Sequence, residues 1–238
     1  MFMKFKLPDT LTRSSHSLAR FLREKGARAC FPVLFIAVTV LFSCSESEEE
    51  SHELDNWEER NWEYFTDVYT TADNEGEENG WKIIRNWSYE EDAATDTDDY
   101  IVVEVLEEGT GSGSPMYTDT VYVHYYGRLI PSDSYPDGYN FDGSYSGDFN
   151  RETALPSKFA VSALIDGFTT ALLNMCIGDY WRVYVPWNLG YGTSTSGTIP
   201  GYSVLIFDIY LEAYYRVDEV VPLWKAKRSD LFDWEELR

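Results

Sequence analysis

Conventional catalytic groups are sparse in this chain. Its three histidines, His16, His52 and His124, are scattered, so no pair stands ready to hold a metal or to activate a hydroxyl. Ser162 has no base at a matching spacing. Adjacent carboxylates such as Glu107-Glu108 and Glu235-Glu236 are expected by chance in so acidic a sequence and give glycoside hydrolysis little support. What remains is a dispersed set of apolar and aromatic residues, Tyr125, Phe141, Leu164, Ile165, Tyr191 and Phe207, with one carboxylate, Asp142, beside Phe141. Such a set offers neither a nucleophile nor a metal cage.

The elements that must position these residues can be read from periodicity. Leu54, Trp57, Tyr64, Phe65 and Val68 recur at helical spacing, with Asn61 breaking the stripe, which predicts an amphipathic helix over 53–71. A lone short helix is marginal, so it is expected to pack on the domain that follows rather than on a second copy. Residues 81–88 read as a strand and 90–99 as an acidic linker. From Tyr100 the pattern turns to strands. In VYVHYYGRL at 121–129, Val121, Val123 and Tyr125 share one face, leaving His124 on the other, where it reads as a surface residue. The best helix lies in SALIDGFTTALLNMCIGD, with Ile165, Phe168, Leu172 and Met175 on one stripe and Gly178 as its stop. Strands follow at 180–186 and 203–215, and on the latter Asp208 points away from Phe207, toward backbone or a basic partner. The tail at 222–238 is expected to dock as a helix or extended segment. The fold class is therefore α+β over about 100–215.

The N-terminus reads as a targeting segment. Residues 1–28 are basic and an apolar run, CFPVLFIAVTVLF, follows at 30–42. That run is shorter than the ~20 residues a membrane span needs, so it is expected to be a signal peptide over 1–43. The sequence LFSC at 41–44 resembles a bacterial lipoprotein box, which implies acylation of Cys44 and a lipidated acidic tether over 44–52. The run SESEEES at 45–51 also resembles the export tag of surface-displayed lipoproteins. The implied location is the outer membrane of a cell envelope, on its periplasmic or outer side. A formal net charge of −22 disfavours nucleic acid as a partner. Once Cys30 and Cys44 are set aside, Cys176 stands alone, which leaves neither a disulfide nor a zinc cluster. Asn86-Trp87-Ser88 matches a glycosylation sequon and is taken as chance.

Five segments resemble, in order and spacing, the FKBP-type peptidyl-prolyl cis-trans isomerases. They are the GTG and VHYYG-L stretches within 109–129, FDGSY at 141–145, LIDGF at 164–168, P-WNLGYG at 186–192 and TIPGYSVLIFDIYL at 198–211. The resemblance implies an antiparallel sheet of five or six strands wrapped around a short helix, preceded by an N-terminal helical extension over 53–99 and followed by a tail over 216–238. It implies a shallow pocket in which Tyr125, Phe141 and Phe207 form walls, Leu164 and Ile165 one side, Phe168 the floor and Ile199 the far rim. The Ile165 N–H and the Tyr191 hydroxyl would each bind a substrate carbonyl, and Asp142 would orient the site with the Tyr125 hydroxyl as its partner. The implied activity is isomerisation of X-Pro bonds in extracytoplasmic polypeptides, without a cofactor. The sequence departs from the family at Phe168, where tryptophan is usual, and at Ser157, where a wall aromatic is usual. These departures keep open a second reading, a peptide-binding or chaperone module with little turnover.

Overall fold

The structure is a computed structural model that describes residues 52–217. The signal peptide, Cys44, most of the acidic tether and the 222–238 tail lie outside the described residues. Seven strands form one antiparallel sheet in the order β1-β2-β6-β7-β3-β4, with β5 also paired to β3. The strands are β1 (Trp81–Arg85), β2 (Tyr100–Glu107), β3 (Thr120–Arg128), β4 (Asn140–Gly143), β5 (Ser157–Ala160), β6 (Tyr180–Val185) and β7 (Leu205–Tyr215). Seven rather than five or six arise for two reasons. One edge gains β1 from the segment ahead of Tyr100, and the other edge is shared, β5 pairing with the first half of β3 and β4 with the second.

Helix α2 (Asp166–Asn174) lies on one face of the sheet, and six of its nine residues are buried. It is shorter than its apolar stripe suggests. A separate 3-10 turn takes up Val161–Ala163, and the helix ends at Met175, before Gly178. Gly167 allows the close approach to β6, because a Cβ there would lie 2.3 Å from a Val185 methyl. The core between helix and sheet holds Phe168, Leu172, Met175, Val183, Val185, Ile209 and Leu211.

Helix α1 (Trp57–Glu75) packs in cis, against β1 and β2. Its buried residues are Trp57, Asn61, Phe65 and Ala72, a spacing of four, four and seven that keeps one face inward. Asn61, which breaks the apolar stripe in sequence, is fully buried and joins the helix to the domain. Its Nδ2 donates to the Trp57 carbonyl at 2.7 Å and its Oδ1 accepts from the Val204 N–H at 2.8 Å. Phe65 is 1 % exposed, and truncating such a side chain to alanine costs about 3–5 kcal/mol. Leu54, expected on the buried stripe, is 52 % exposed because it falls in a 3-10 turn before the helix begins.

The two faces of β3 and β7 are both covered. A loop over 144–156 lies across the face opposite α2, where Phe149 packs against His124, Tyr180 and Tyr210. His124 is therefore not a surface residue but 1 % exposed. Alternation correctly placed it away from Tyr125; the loop that roofs it carries no such periodic signal. Asn86 is likewise fully buried, with Oδ1 accepting from the Thr170 hydroxyl at 3.2 Å, which agrees with a chance sequon.

Candidate active site

The face of the sheet that holds α2 brings four aromatic side chains together. The Phe207 ring on β7 meets Phe141 of β4 edge to face at 5.6 Å and Phe168 of α2 at 5.1 Å. Tyr125 on β3 meets Phe168 edge to face at 6.1 Å. Three strands and one helix thus each contribute a ring to one box. The box requires a missing side chain at Gly127, two residues along β3 from Tyr125. A Cβ there would stand 2.8 Å from both the Phe141 and Phe207 rings, closer than packed carbon atoms allow.

One carboxylate stands at the edge of this box. The Tyr125 hydroxyl donates to Asp142 Oδ2 at 2.8 Å, and the Gly143 N–H donates to Oδ1 at 2.9 Å. Asp142 itself is solvent-exposed whereas Tyr125 is 7 % exposed. The carboxylate therefore keeps its hydration at the mouth and avoids the cost of burying a charge. Asn140 and Ser144 brace the β3–β4 corner. The Asn140 Nδ2 donates to the carbonyls of Gly127 and Asp142, and the Ser144 hydroxyl accepts from the Tyr125 N–H at 2.9 Å.

The phenols near Asp142 are held as donors. Burial, then the hydrogen bond to Asp142 and its charge, push the Tyr125 hydroxyl well above its ordinary range. Burial and the Asp142 charge also raise Tyr191, which is 45 % exposed. Tyr191 sits in a turn closed by the Gly192 N–H donating to the Trp187 carbonyl at 2.8 Å. On the other side, Leu164 and Ile165 pack partly buried against the core. Ile165 is the residue that caps α2, with extended backbone at φ −63° and ψ 152°. No acceptor among the described residues takes its N–H, and it lies at the positive end of the helix.

The structure thus assembles Tyr125, Phe141, Asp142, Phe168 and Phe207, and sets Tyr191 within electrostatic reach of Asp142. Ile199, expected to close the far rim, is 6 % exposed in a turn bridged to Ser196. Ser157 brings no ring, but Phe159 does, meeting Tyr125 edge to face at 5.6 Å. Both lie on the same face of β5, opposite Val123 and Val121 of β3. Two-residue periodicity along SKFA was the signal that could have identified Phe159. Among the described residues no His, Cys, Asp or Glu cluster could hold a metal ion.

Several known proteins are similar to this chain. A model of the FKBP-type peptidyl-prolyl cis-trans isomerases matches residues 111–212. The chain is 39 % identical over 141 residues to the macrophage infectivity potentiator of Trypanosoma cruzi, covering 55 % of this chain and 66 % of that one. It is 34 % identical to the FKBP-type 22 kDa peptidyl-prolyl cis-trans isomerase of Escherichia coli, covering 48 % of this chain and 50 % of the relative. A crystal structure of a peptidyl-prolyl cis-trans isomerase from Pseudomonas syringae is 28 % identical with a TM-score of 0.47, covering 66 % of this chain and 96 % of that one. The chain spans from 19 % to 66 % of the length of the first curated relatives it matches. On the family match and the curated relatives, residues 111–212 form a domain of the FKBP-type peptidyl-prolyl cis-trans isomerase family.

Proposed function

We propose that this chain catalyses cis-trans isomerisation of X-Pro bonds in extended polypeptides outside the cytoplasm, held to the envelope by lipid on Cys44. The observation that carries the reading is the Tyr125–Asp142 hydrogen bond at the mouth of an aromatic box to which α2, beginning at Ile165, contributes Phe168.

Rotation about an X-Pro bond is slow because amide resonance sets a barrier of about 18–20 kcal/mol. Twisting the bond breaks that resonance and lowers the dipole of the amide. Water favours the planar, dipolar form. A box of Phe141, Phe168, Phe207 and Tyr125 replaces water around the proline and removes that preference. The Ile165 N–H and the Tyr191 hydroxyl bind the flanking carbonyls, which holds the chain on both sides while the bond turns. Asp142 acts through Tyr125, fixing the phenol that walls the box. A barrier lower by about 6–8 kcal/mol corresponds to roughly 10⁴–10⁶-fold acceleration. The step needs no proton transfer and no cofactor.

The substrates are polypeptides presenting accessible proline after an apolar residue. One similar protein carries the name outer membrane protein MIP, from Legionella longbeachae, 38 % identical over 109 residues, which supports an envelope location. No helix among the described residues is long and apolar enough to cross a membrane, consistent with a lipid at Cys44 as the anchor. A second reading, binding without turnover, is favoured by Ser157, which leaves the mouth without a ring at that position. The deciding experiment is an isomerisation assay of the purified chain on Leu-Pro and Phe-Pro peptides, with peptide binding measured in parallel. Acceleration that is lost in Asp142→Ala supports the enzyme. Binding by a folded sample with no acceleration supports the second reading, and neither would overturn both.

A further inference from the structure

We propose that a tryptophan-walled groove beside the Tyr191 turn is a docking site for a cationic, apolar segment of polypeptide. For its biological role the inference rests on the isomerase reading, since such a segment would flank the proline of a substrate. For its chemistry it does not.

The groove, about 600 Å³, runs between the start of α1 and the turn that follows β6, and is lined by Trp57, Trp62, Trp187, Glu58, Glu59 and Asp98 together with Asn56. Three indoles and three carboxylates face it, and no basic side chain among the described residues lines it. The sequence builds each wall. Glu58 and Glu59 lie four and three residues before Trp62 on α1, so they stand beside its indole on one helical face. The opposite wall is tied by Asn188, whose Nδ2 donates to the Asp98 carbonyl at 2.9 Å and so fixes the Trp187 turn against the turn carrying Asp98. At the back, the Trp57 Nε1–H donates to the Ser203 hydroxyl at 3.0 Å, which fixes this nearly buried indole as the floor of the groove.

Trp62 is 46 % exposed on the free side of this groove. An exposed indole ringed by carboxylates is costly to leave bare and suits a ligand that brings both an apolar stem and a positive charge. The chain supplies an internal example, because the Arg60 guanidinium lies 5.5 Å over the Trp57 ring. The indoles of Trp62 and Trp187 have no such cation over them among the described residues. Trp187 opens the same short turn that carries Tyr191 and closes through the Gly192 N–H. A polypeptide with proline at Tyr191 and lysine or arginine nearby could engage pocket and groove together, raising its local concentration at the site.

The test uses the purified chain and a capped, proline-free peptide of alternating lysine and leucine, with a glutamate–leucine peptide as its control. Binding is followed by tryptophan fluorescence. The lysine peptide is expected to bind, to weaken as salt is raised to about 0.5 M, and to lose about fivefold in affinity in Trp62→Ala. The double variant Glu58→Gln, Glu59→Gln is expected to weaken it further while keeping the side-chain shapes. Equal binding of the glutamate peptide, or equal affinity of wild type and both variants, overturns the site and points to diffuse attraction by the acidic surface. Turnover of a short uncharged Leu-Pro peptide, measured on the same samples, is expected to be unchanged. If that turnover is absent while groove binding holds, the isomerase reading fails and this one stands.

Discussion

Phe207 and Asp208 are neighbours on β7 and serve opposite faces of one sheet. On the α2 side, Phe207 belongs to a box of rings whose single carboxylate, Asp142, remains hydrated at the mouth. On the other side, Asp208 is 7 % exposed and receives two guanidiniums: Arg182 through Nε at 2.7 Å and Nη2 at 3.2 Å, and Arg128 through Nη1 at 2.9 Å. Further along the strand, Glu212 is buried and takes Arg151 in a two-point bond at 2.7 and 3.1 Å. The comparison separates two uses of charge. The face proposed to bind substrate keeps charge out, so that on that proposal a twisted amide would meet a dry apolar surface. The opposite face buries charge in saturated pairs, which bind the 144–156 loop and the far ends of the strands. Removing a shared carboxylate leaves the part-buried Arg128 without its partner, while Arg182 keeps Glu104 at 3.5 Å.

The largest expected effect therefore comes from the face without the active site. Asp208→Ala leaves Arg128 and Arg182 beside each other without their shared carboxylate. Breaking a buried pair in this way costs about 3–5 kcal/mol. Urea denaturation should show a midpoint shift of that size with little change in slope, and activity per folded molecule should be retained. A selective loss of turnover with normal stability would dissolve the distinction between the faces.

Asp142→Ala makes the reverse separation. The carboxylate is exposed, so its loss costs the fold little. Tyr125 loses the acceptor that fixes its hydroxyl, an interaction of about 1.5 kcal/mol, which corresponds to roughly tenfold in kcat/KM for a Leu-Pro peptide. A fall in stability matching the fall in rate would mean that the residue is only structural.

His124 offers a smaller, pH-dependent test of the charged face. Its ring is buried, with Nε2 3.9 Å from Glu212 Oε2 and with Nδ1 unpartnered. Burial, with help from Arg151 and against the pull of Glu212, holds it below the ordinary value of 6.5. The folded chain therefore binds this proton less readily than the unfolded chain. Stability associated with the neutral ring is present above about pH 6.5 and declines as the pH falls from there toward the folded value, by at most about 1.4 kcal/mol per unit. Comparing urea midpoints at pH 7.5 and 5.5 for wild type and His124→Gln isolates this group from the carboxylates. An identical pH dependence in the two proteins would show that His124 does not titrate in this window.

Legibility in the sequence followed the same divide. The aromatic box lies on regular strands and a helix, where period-two and period-3.6 patterns report which residues share a face. Periodicity placed Tyr125 and Phe168 on the inner faces of their own elements, but only the resemblance to the isomerase family grouped Tyr125, Phe141, Phe168 and Phe207 into one pocket. The Tyr125–Asp142 pair was likewise implied by the resemblance, since a turn carboxylate alone could as well have capped the following backbone. The charged face was legible only in part. Asp208 could be paired with some basic residue, but Arg128 and Arg182 lie 80 and 26 positions away, and nothing local selects them. His124 was misplaced because alternation identifies a face without saying what covers it. The burial of Asn61 was not legible, because burial of an amide depends on a distant partner, the Val204 N–H.

Ser157→Phe probes the pocket face at the finest scale. Ser157 lies on the same side of β5 as Phe159, whose ring already meets Tyr125. A second ring at this position, opposite Val123 of β3, would extend that wall, and Ser157 is only partly buried. An added aromatic contact is worth about 0.5–1.5 kcal/mol. If that contact is stronger with the twisted amide than with the planar one, kcat rises by about two- to tenfold. If it is equally strong with both, KM falls and kcat is unchanged. The split between these parameters reports whether the apolar face acts by discriminating conformers or by holding chains. A gain in binding with no gain in kcat would move the protein toward the binding reading, and the Trp62 groove beside it would then become the better guide to its clients.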